Sequence, residues 1–526
     1  RFELYRCLID RATIRRLANR WEEALADLAA SEELVAGLVP MVQRQTLVNI
    51  WLLRAKVHST PFSSVYNRDV ALGYLAKVRE SGGRSWVADE MESDMAFRDE
   101  EWDKAAQLAL RVAKALSSEG WERGVASCWL RAGRAYLELG NLPMAEARLM
   151  DAHKFFQKLG PPDQLAEAQL GLARLKSSYG QQDEAWRLVC EALDRIESLI
   201  RRFRVVLDQQ RFLTDKLRYY NHAFYIGMAK GGIEGCLRAW TIAERAKSFY
   251  LCQLVANTDI PLFDGVEPAK VKQLQELEVQ LDDCEQSLSR LGGEDKKGAR
   301  GDQLQSQLES LSKKRQEHLN RMMKENPRWA ALRTPPRFDL GAMLKQLDPV
   351  WAPLSYFWQG RGDGKGASLF IFYVGQERVP LCVEVSWSEQ ELALLDHCRE
   401  RLRKPLGEIF DEWMSDSSAF PVPNELVEKI VPPQIRDRLK EGQCWLVSPH
   451  GRLCTFPIHA VSIGNDDPVV NHWPIQYIPT FALLPLRRGG PRPDAVMLLG
   501  CAEDAWGDEI LKQVEGEIEQ LYNLWS

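Results

Sequence analysis

No stretch of eighteen apolar residues occurs in this sequence, so no segment satisfies its own backbone across a bilayer, and the opening RFELYRCLID has no signal-peptide core. A soluble, cytoplasmic protein is expected. Paired cysteine spacing is missing too: eleven cysteines are scattered, at positions such as Cys7, Cys128, Cys190, Cys236 and Cys252, with no Cys-x-x-Cys among them. That fits a reducing compartment, in which isolated cysteines behave as small hydrophobes. No one sign of charge dominates. A net charge of −6, from 68 Lys and Arg against 74 Asp and Glu, excludes a surface that grips nucleic acid throughout, and no sequence-specific DNA binding is expected. Also absent are a P-loop, a dinucleotide fingerprint, a zincin helix and a Gly-x-Ser-x-Gly elbow, which disfavours nucleotide, metal and serine-hydrolase chemistry. Cys444, His450, Cys454 and His459 lie close together, but their spacing makes no paired two-ligand knuckles. A turn histidine and core thiols are expected there, with no metal and no cofactor.

What is present divides the 526 residues into more than one core. Over residues 1–255 the pattern is helical, and a turn is followed five residues later by alanine four times: Asn19 to Ala24, Glu100 to Ala105, Gly140 to Ala145 and Gly180 to Ala185. The last three alanines are evenly spaced, and Ala71 fits a shorter step. Stacked helix pairs follow, since one pair alone cannot bury its apolar face. Most of the seventeen tryptophans fall at helical spacings and are assigned to the core. The cation-rich run from Arg195 to Arg218 reads as one helix with a solvated basic face; a contact with an acidic protein or RNA is the alternative.

Residues 256–336 read as a helical hairpin. Leu274, Leu277, Leu281, Cys284, Leu288 and Leu291 alternate steps of three and four, and Leu304, Leu308, Leu311 and Met322 continue the seam after a GGEDKKGARGD connection too polar and glycine-rich for helix. From residue 337 an α/β pattern begins. Ser368–Val374, Val379–Val385, Cys444–Ser448 and Gln476–Ile478 read as strands, with helices near 388–403 and 424–440. The apolar run Ala495–Gly500, with the amphipathic helix after it, reads as the opening of a parallel sheet. The chain starts without methionine and ends within that helix, so it is expected to be incomplete at its C-terminus.

Several segments resemble one family. Trp129, Gly133, Tyr136, Gly140, Ala145 and Ala152 have tetratricopeptide-repeat spacing. Tyr219-Tyr220, Leu237, Ala239, Ala243-Glu244, Ala246-Lys247 and Leu251 are similar to the linker helices of proteins that join such repeats to a caspase-like CHAT domain. Pro449, Gly451, Leu453, Pro457, Ala460 and Val461 fit that family's Pro-Asp-Gly element, with His450 in place of Asp, and Tyr477-Ile478-Pro479-Thr480 resembles its Tyr-x-Pro-Ser. The resemblance to the TPR-CHAT family implies an α-helical TPR-like solenoid, a helical hairpin and a caspase-like α/β domain over 337–526.

It also implies a cysteine endopeptidase whose strand-end His-Gly and Ala-Cys form a dyad, expected here C-terminal to Ser526. His450-Gly451 and Cys501 mimic the dyad in order, but His450 belongs to the earlier element. Cys501, Glu503 and Asp504 are the candidate substrate-binding residues, an ordinary polar loop being the alternative. The family implies a protein substrate and a protein partner on the repeats, in some members an RNA-guided CRISPR effector ribonucleoprotein in bacterial defence. A non-catalytic adaptor with a degenerate CHAT-like domain is the other reading.

Overall fold

The computed structural model describes residues 2–36, 38–61, 63–82, 85–200, 206–256, 267–290, 299–325, 338–360, 366–402, 424–440, 443–456, 458 and 473–486. The chain divides into two compact units, Arg1–Ile196 and Glu197–Ser526.

The first unit is an array of helices: α1 (Phe2–Leu17), α2 (Trp21–Val35), α3 (Pro40–His58), α4 (Arg68–Glu80), α5 (Ser85–Arg98), α6 (Trp102–Ser118), α7 (Glu122–Glu138), α8 (Leu142–Leu159), α9 (Pro162–Ser178) and the start of α10 (Gln182–Ile200). Its turns explain the turn-to-alanine pattern. Asn19, Glu100, Gly140 and Gly180 all have positive φ, and the following residue's N–H closes back on the helix just ended. Glu101 N–H thus donates to the Ala96 carbonyl at 2.8 Å, and Asn141 N–H to that of Tyr136 at 2.9 Å. This left-handed cap satisfies carbonyls that a helix end leaves open, and it turns the chain sharply into the next helix. Four residues on, Ala24, Ala105, Ala145 and Ala185 are fully buried, as is Ala71. A larger side chain there would push neighbouring helices apart. The same closeness fixes Gly133, where a Cβ would stand 2.8 Å from Leu149 Cγ.

The second unit takes in the helices of 197–256, which sequence periodicity places with the array. Within the run 195–218 the described residues are helical, in α10 up to Ile200 and in α11 (Val206–Met228) from Val206; 201–205 lie outside the described residues, and α12 (Gly232–Ala256) follows. Glu197 joins these helices, accepting from Tyr220 Oη and Arg245 Nε at 2.7 Å each. The hairpin consists of α13 (Pro268–Arg290) and α14 (Ala299–Glu325), the latter starting inside the stretch read as non-helical. Its pairings run antiparallel: Lys270 meets Glu325, Glu278 meets Arg315, and Cys284 Sγ donates to the Leu304 carbonyl. Leu274, Cys284, Leu311 and Met322 are buried in its seam.

After α15 (Leu340–Gln346) the described residues form a five-stranded sheet in the order β3-β2-β1-β4-β5, built from β1 (Trp351–Gly360), β2 (Gly366–Val374), β3 (Pro380–Ser388), β4 (Cys444–Ser448) and β5 (Ile475–Tyr477). The sheet is mixed: β1 to β3 are antiparallel neighbours, while β1, β4 and β5 run parallel. One face packs on α16 (Glu389–Leu402), α17 (Asn424–Ile430) and α18 (Pro433–Arg436) through Tyr356, Leu369, Leu395, Leu426, Ile430 and Trp445. The helix expected over 424–440 is interrupted because Pro432 and Pro433 remove two donors, and the chain restarts with Pro433 as a first helical residue. Among the described residues no helix is long and apolar enough to cross a membrane.

Candidate functional site

Strand register aligns Cys382 of β3, Phe372 of β2, Ser355 of β1 and Ser448 of β4 as successive Cα partners, one row across four strands. One face of α12 lies over this row. Cys236 neighbours Cys382, Trp240 stacks on Phe372 with ring centroids 5.5 Å apart, Glu244 contacts Ser355, and Lys247 contacts both serines. Steps of four, four and three keep these residues on one helix face. Lengths agree as well: eleven helical steps rise about 16 Å, and three interstrand spacings cover about 14 Å. The helix therefore crosses the strands with one side chain per strand.

At the end of the row the contacts become ionic. Lys247 Nζ donates to Ser355 Oγ at 2.8 Å, Ser448 Oγ at 2.9 Å and the Ser448 carbonyl at 3.1 Å, and stands 3.0 Å from Glu244 Oε1. Glu244 in turn accepts from Ser355 Oγ at 2.6 Å, from Thr480 Oγ1 at 2.8 Å and from Phe481 N–H at 2.6 Å. Ser448 Oγ donates onward to the Pro479 carbonyl at 3.1 Å. Exposure is 0% for Glu244, Ser355, Ser448 and Thr480 and 7% for Lys247, so bulk water and substrate are both shut out. A buried ion pair is tolerable only when hydrogen bonds satisfy its remaining lone pairs and protons, and this one meets that condition. An ammonium held this way has no lone pair with which to activate either serine. The cluster anchors helix to sheet and is no hydrolytic dyad.

His450 lies two residues beyond β4. Its Nδ1 accepts the Trp358 N–H at 3.0 Å, and its ring stacks on Phe357 with centroids 4.6 Å apart. β4 has ended by this point, so the imidazole supplies the acceptor that a longer strand would have given β1. A carboxylate could do the same. Burial, reinforced by the charge of Lys247, pushes the imidazole down to about 3, so it stays neutral with its proton on Nε2. The Gly451–Thr455 turn of 3₁₀ helix after it is held to α16 by Arg452 on Asp396 at 3.1 Å and by Arg399 on Thr455 at 2.9 Å.

No protein-family model matches the chain, and no curated protein does. The site is defined by geometry alone. That geometry brings together two separately noted segments, Ala243–Lys247 and Tyr477–Thr480, with Ser448 at the strand end just before a third that starts at Pro449, and makes His450 a structural acceptor instead of a dyad base. Cys501, Glu503, Asp504, the Ala495–Gly500 run and the helix after it lie outside the described residues, as does His459. Sequence reasoning missed Ser355, Ser448 and the Cys236–Cys382 pairing. Ser355 lies in a strand whose pattern gave no signal, and the pairing depends on register between segments far apart in the chain.

Proposed function

We propose that this chain is the sensing and sheet-forming part of a regulated, caspase-like cysteine endopeptidase. In this reading the helical array is TPR-like and binds a protein partner, the α/β part of the second unit is CHAT-like, and the His/Cys dyad lies outside the described residues. One observation supports it: two segments that resemble the family, Ala243–Lys247 and Tyr477–Thr480, meet in a buried cluster at the carboxyl end of β4, where the strand leads into the third, beside Ser355 of the parallel strand β1 and next to β5. Loops at that edge of a parallel sheet are where reactive groups converge.

A solenoid can couple partner binding to activity only through different affinities for two states of the enzyme. An RNA-guided effector ribonucleoprotein is the partner class proposed for the array. The test is to capture partners from a cell lysate with the full-length protein, then map new protein N-termini with and without iodoacetamide. Partner-dependent, iodoacetamide-sensitive cleavage is expected.

One observation favours the adaptor reading. The polar side chains of the described cluster are buried and already engaged with one another, which leaves them no reaction to perform. Stable partner capture with no new N-termini would establish that reading in place of the protease.

A further inference from the structure

The helix-over-row geometry ends on two thiols. Cys236 lies in the first turns of α12 and is buried; Cys382 lies on β3, the outermost strand on its side among the described residues, and is half-buried. They belong to elements far apart in sequence yet occupy matching places in the helix row and the strand row, and neither is in a disulfide. Trp240, one turn further along α12, stacks on Phe372, and Phe372 is the direct cross-strand partner of Cys382. The thiols are thus held facing one another by packing on both elements.

We propose that Cys236 and Cys382 are a disulfide-forming pair that a small peroxide oxidises, stapling α12 to β3. Interaction between the two thiols favours the thiolate at Cys236 and, together with burial, disfavours it at Cys382. The Cys236 thiolate attacks one peroxide oxygen; the O–O bond breaks, leaving a sulfenic acid and a hydroxide that is protonated to water. The Cys382 sulfur then attacks the Cys236 sulfur. The S–S bond forms as the S–O bond breaks, and the departing hydroxide takes the Cys382 proton as a second water. Two thiols are oxidised by two electrons and one peroxide is reduced. Thiol reductants reverse the bond by exchange. Cys128 serves as an internal control: it is buried in the helical array, and burial pushes its thiol up to about 12.

The experiment treats the full-length protein with hydrogen peroxide, alkylates free thiols and searches non-reduced digests for cross-linked peptides. A dithiothreitol-sensitive Cys236–Cys382 peptide is expected, lost in both Cys236→Ser and Cys382→Ser. The oxidised protein should melt higher by about 5 °C or more, and its amides over residues 232–240 should exchange about tenfold more slowly. Cys382→Ala, at the less buried position, should abolish both effects while still folding. The proposal is overturned if both cysteines stay alkylatable under conditions that oxidise other thiols, if they proceed to sulfinic acids without a cross-link, or if the shift persists in Cys382→Ala.

Discussion

Lys247 and Glu244 do unequal work, and single substitutions should show it. Lys247→Met leaves a carboxylate buried without its counter-ion, a loss of about 3–5 kcal/mol. Glu244→Leu should cost more, because the carboxylate also serves the Ser355 and Thr480 hydroxyls and the Phe481 N–H. Urea denaturation of each variant gives the ranking, and the double variant Glu244→Leu/Lys247→Met should be less damaged than the sum of the two. His450 supplies a pH test. Its folded imidazole is pushed down to about 3 from an ordinary value of 6.5, so below pH 6.5 the unfolded chain binds a proton that the folded chain refuses. Stability contributed by the neutral ring is complete above pH 6.5 and falls as the pH drops from there towards 3, by up to about 1.4 kcal/mol per pH unit. His450→Asn keeps an acceptor for the Trp358 N–H and should remove that slope in denaturation midpoints taken from pH 7 to 4.

Among the elements, the turns of the array separate conformational from steric cost. Gly140 has φ +71° with open space around it, so Gly140→Ala should cost about 1–2 kcal/mol from backbone strain alone. At Gly133 a Cβ would instead press on the Leu149 side chain and backbone, and overpacking of about 1–3 kcal/mol is expected for Gly133→Ala. Glu100 occupies the same left-handed turn as a non-glycine, with φ +62°, and Glu100→Gly should stabilise the array by about 0.5–1 kcal/mol. Chemical denaturation tests all three. These turns were legible in the sequence because glycine and alanine mark a backbone need at fixed spacing, as were β2, β3 and β4 from their β-branched and apolar runs. β1 was not. It is buried on both faces, so WAPLSYFWQG shows no alternation, and Pro353 argues against a central strand. Pro353 is tolerated because pairing with β2 begins only at Leu354. The cluster of Glu244, Lys247, Ser355, Ser448 and Thr480 was not legible either, since it is set by register between distant strands.

Across the whole molecule, two compact units predict two separable unfolding events. Calorimetry of the full-length protein should show Gly140→Ala lowering one transition and Lys247→Met the other, each leaving its counterpart unchanged. If every substitution moved both transitions together, the units would unfold as one. The cross-strand row has a further consequence, in time. The hydrogen bonds of Glu244 and Lys247 reach partners 111, 201 and 236 residues later in the chain. At a synthesis rate of about 5–20 residues per second, the second half of α12 leaves the ribosome roughly 10–50 s before Thr480 is made. For that interval Glu244 and Lys247 have each other but not their partners in the sheet, and contacts of such long sequence separation form slowly even when every participant is present. Delay in translating the segment between α12 and β5 should therefore lengthen the life of a nascent chain with an unclasped, apolar-faced helix, which is the state that chaperones bind.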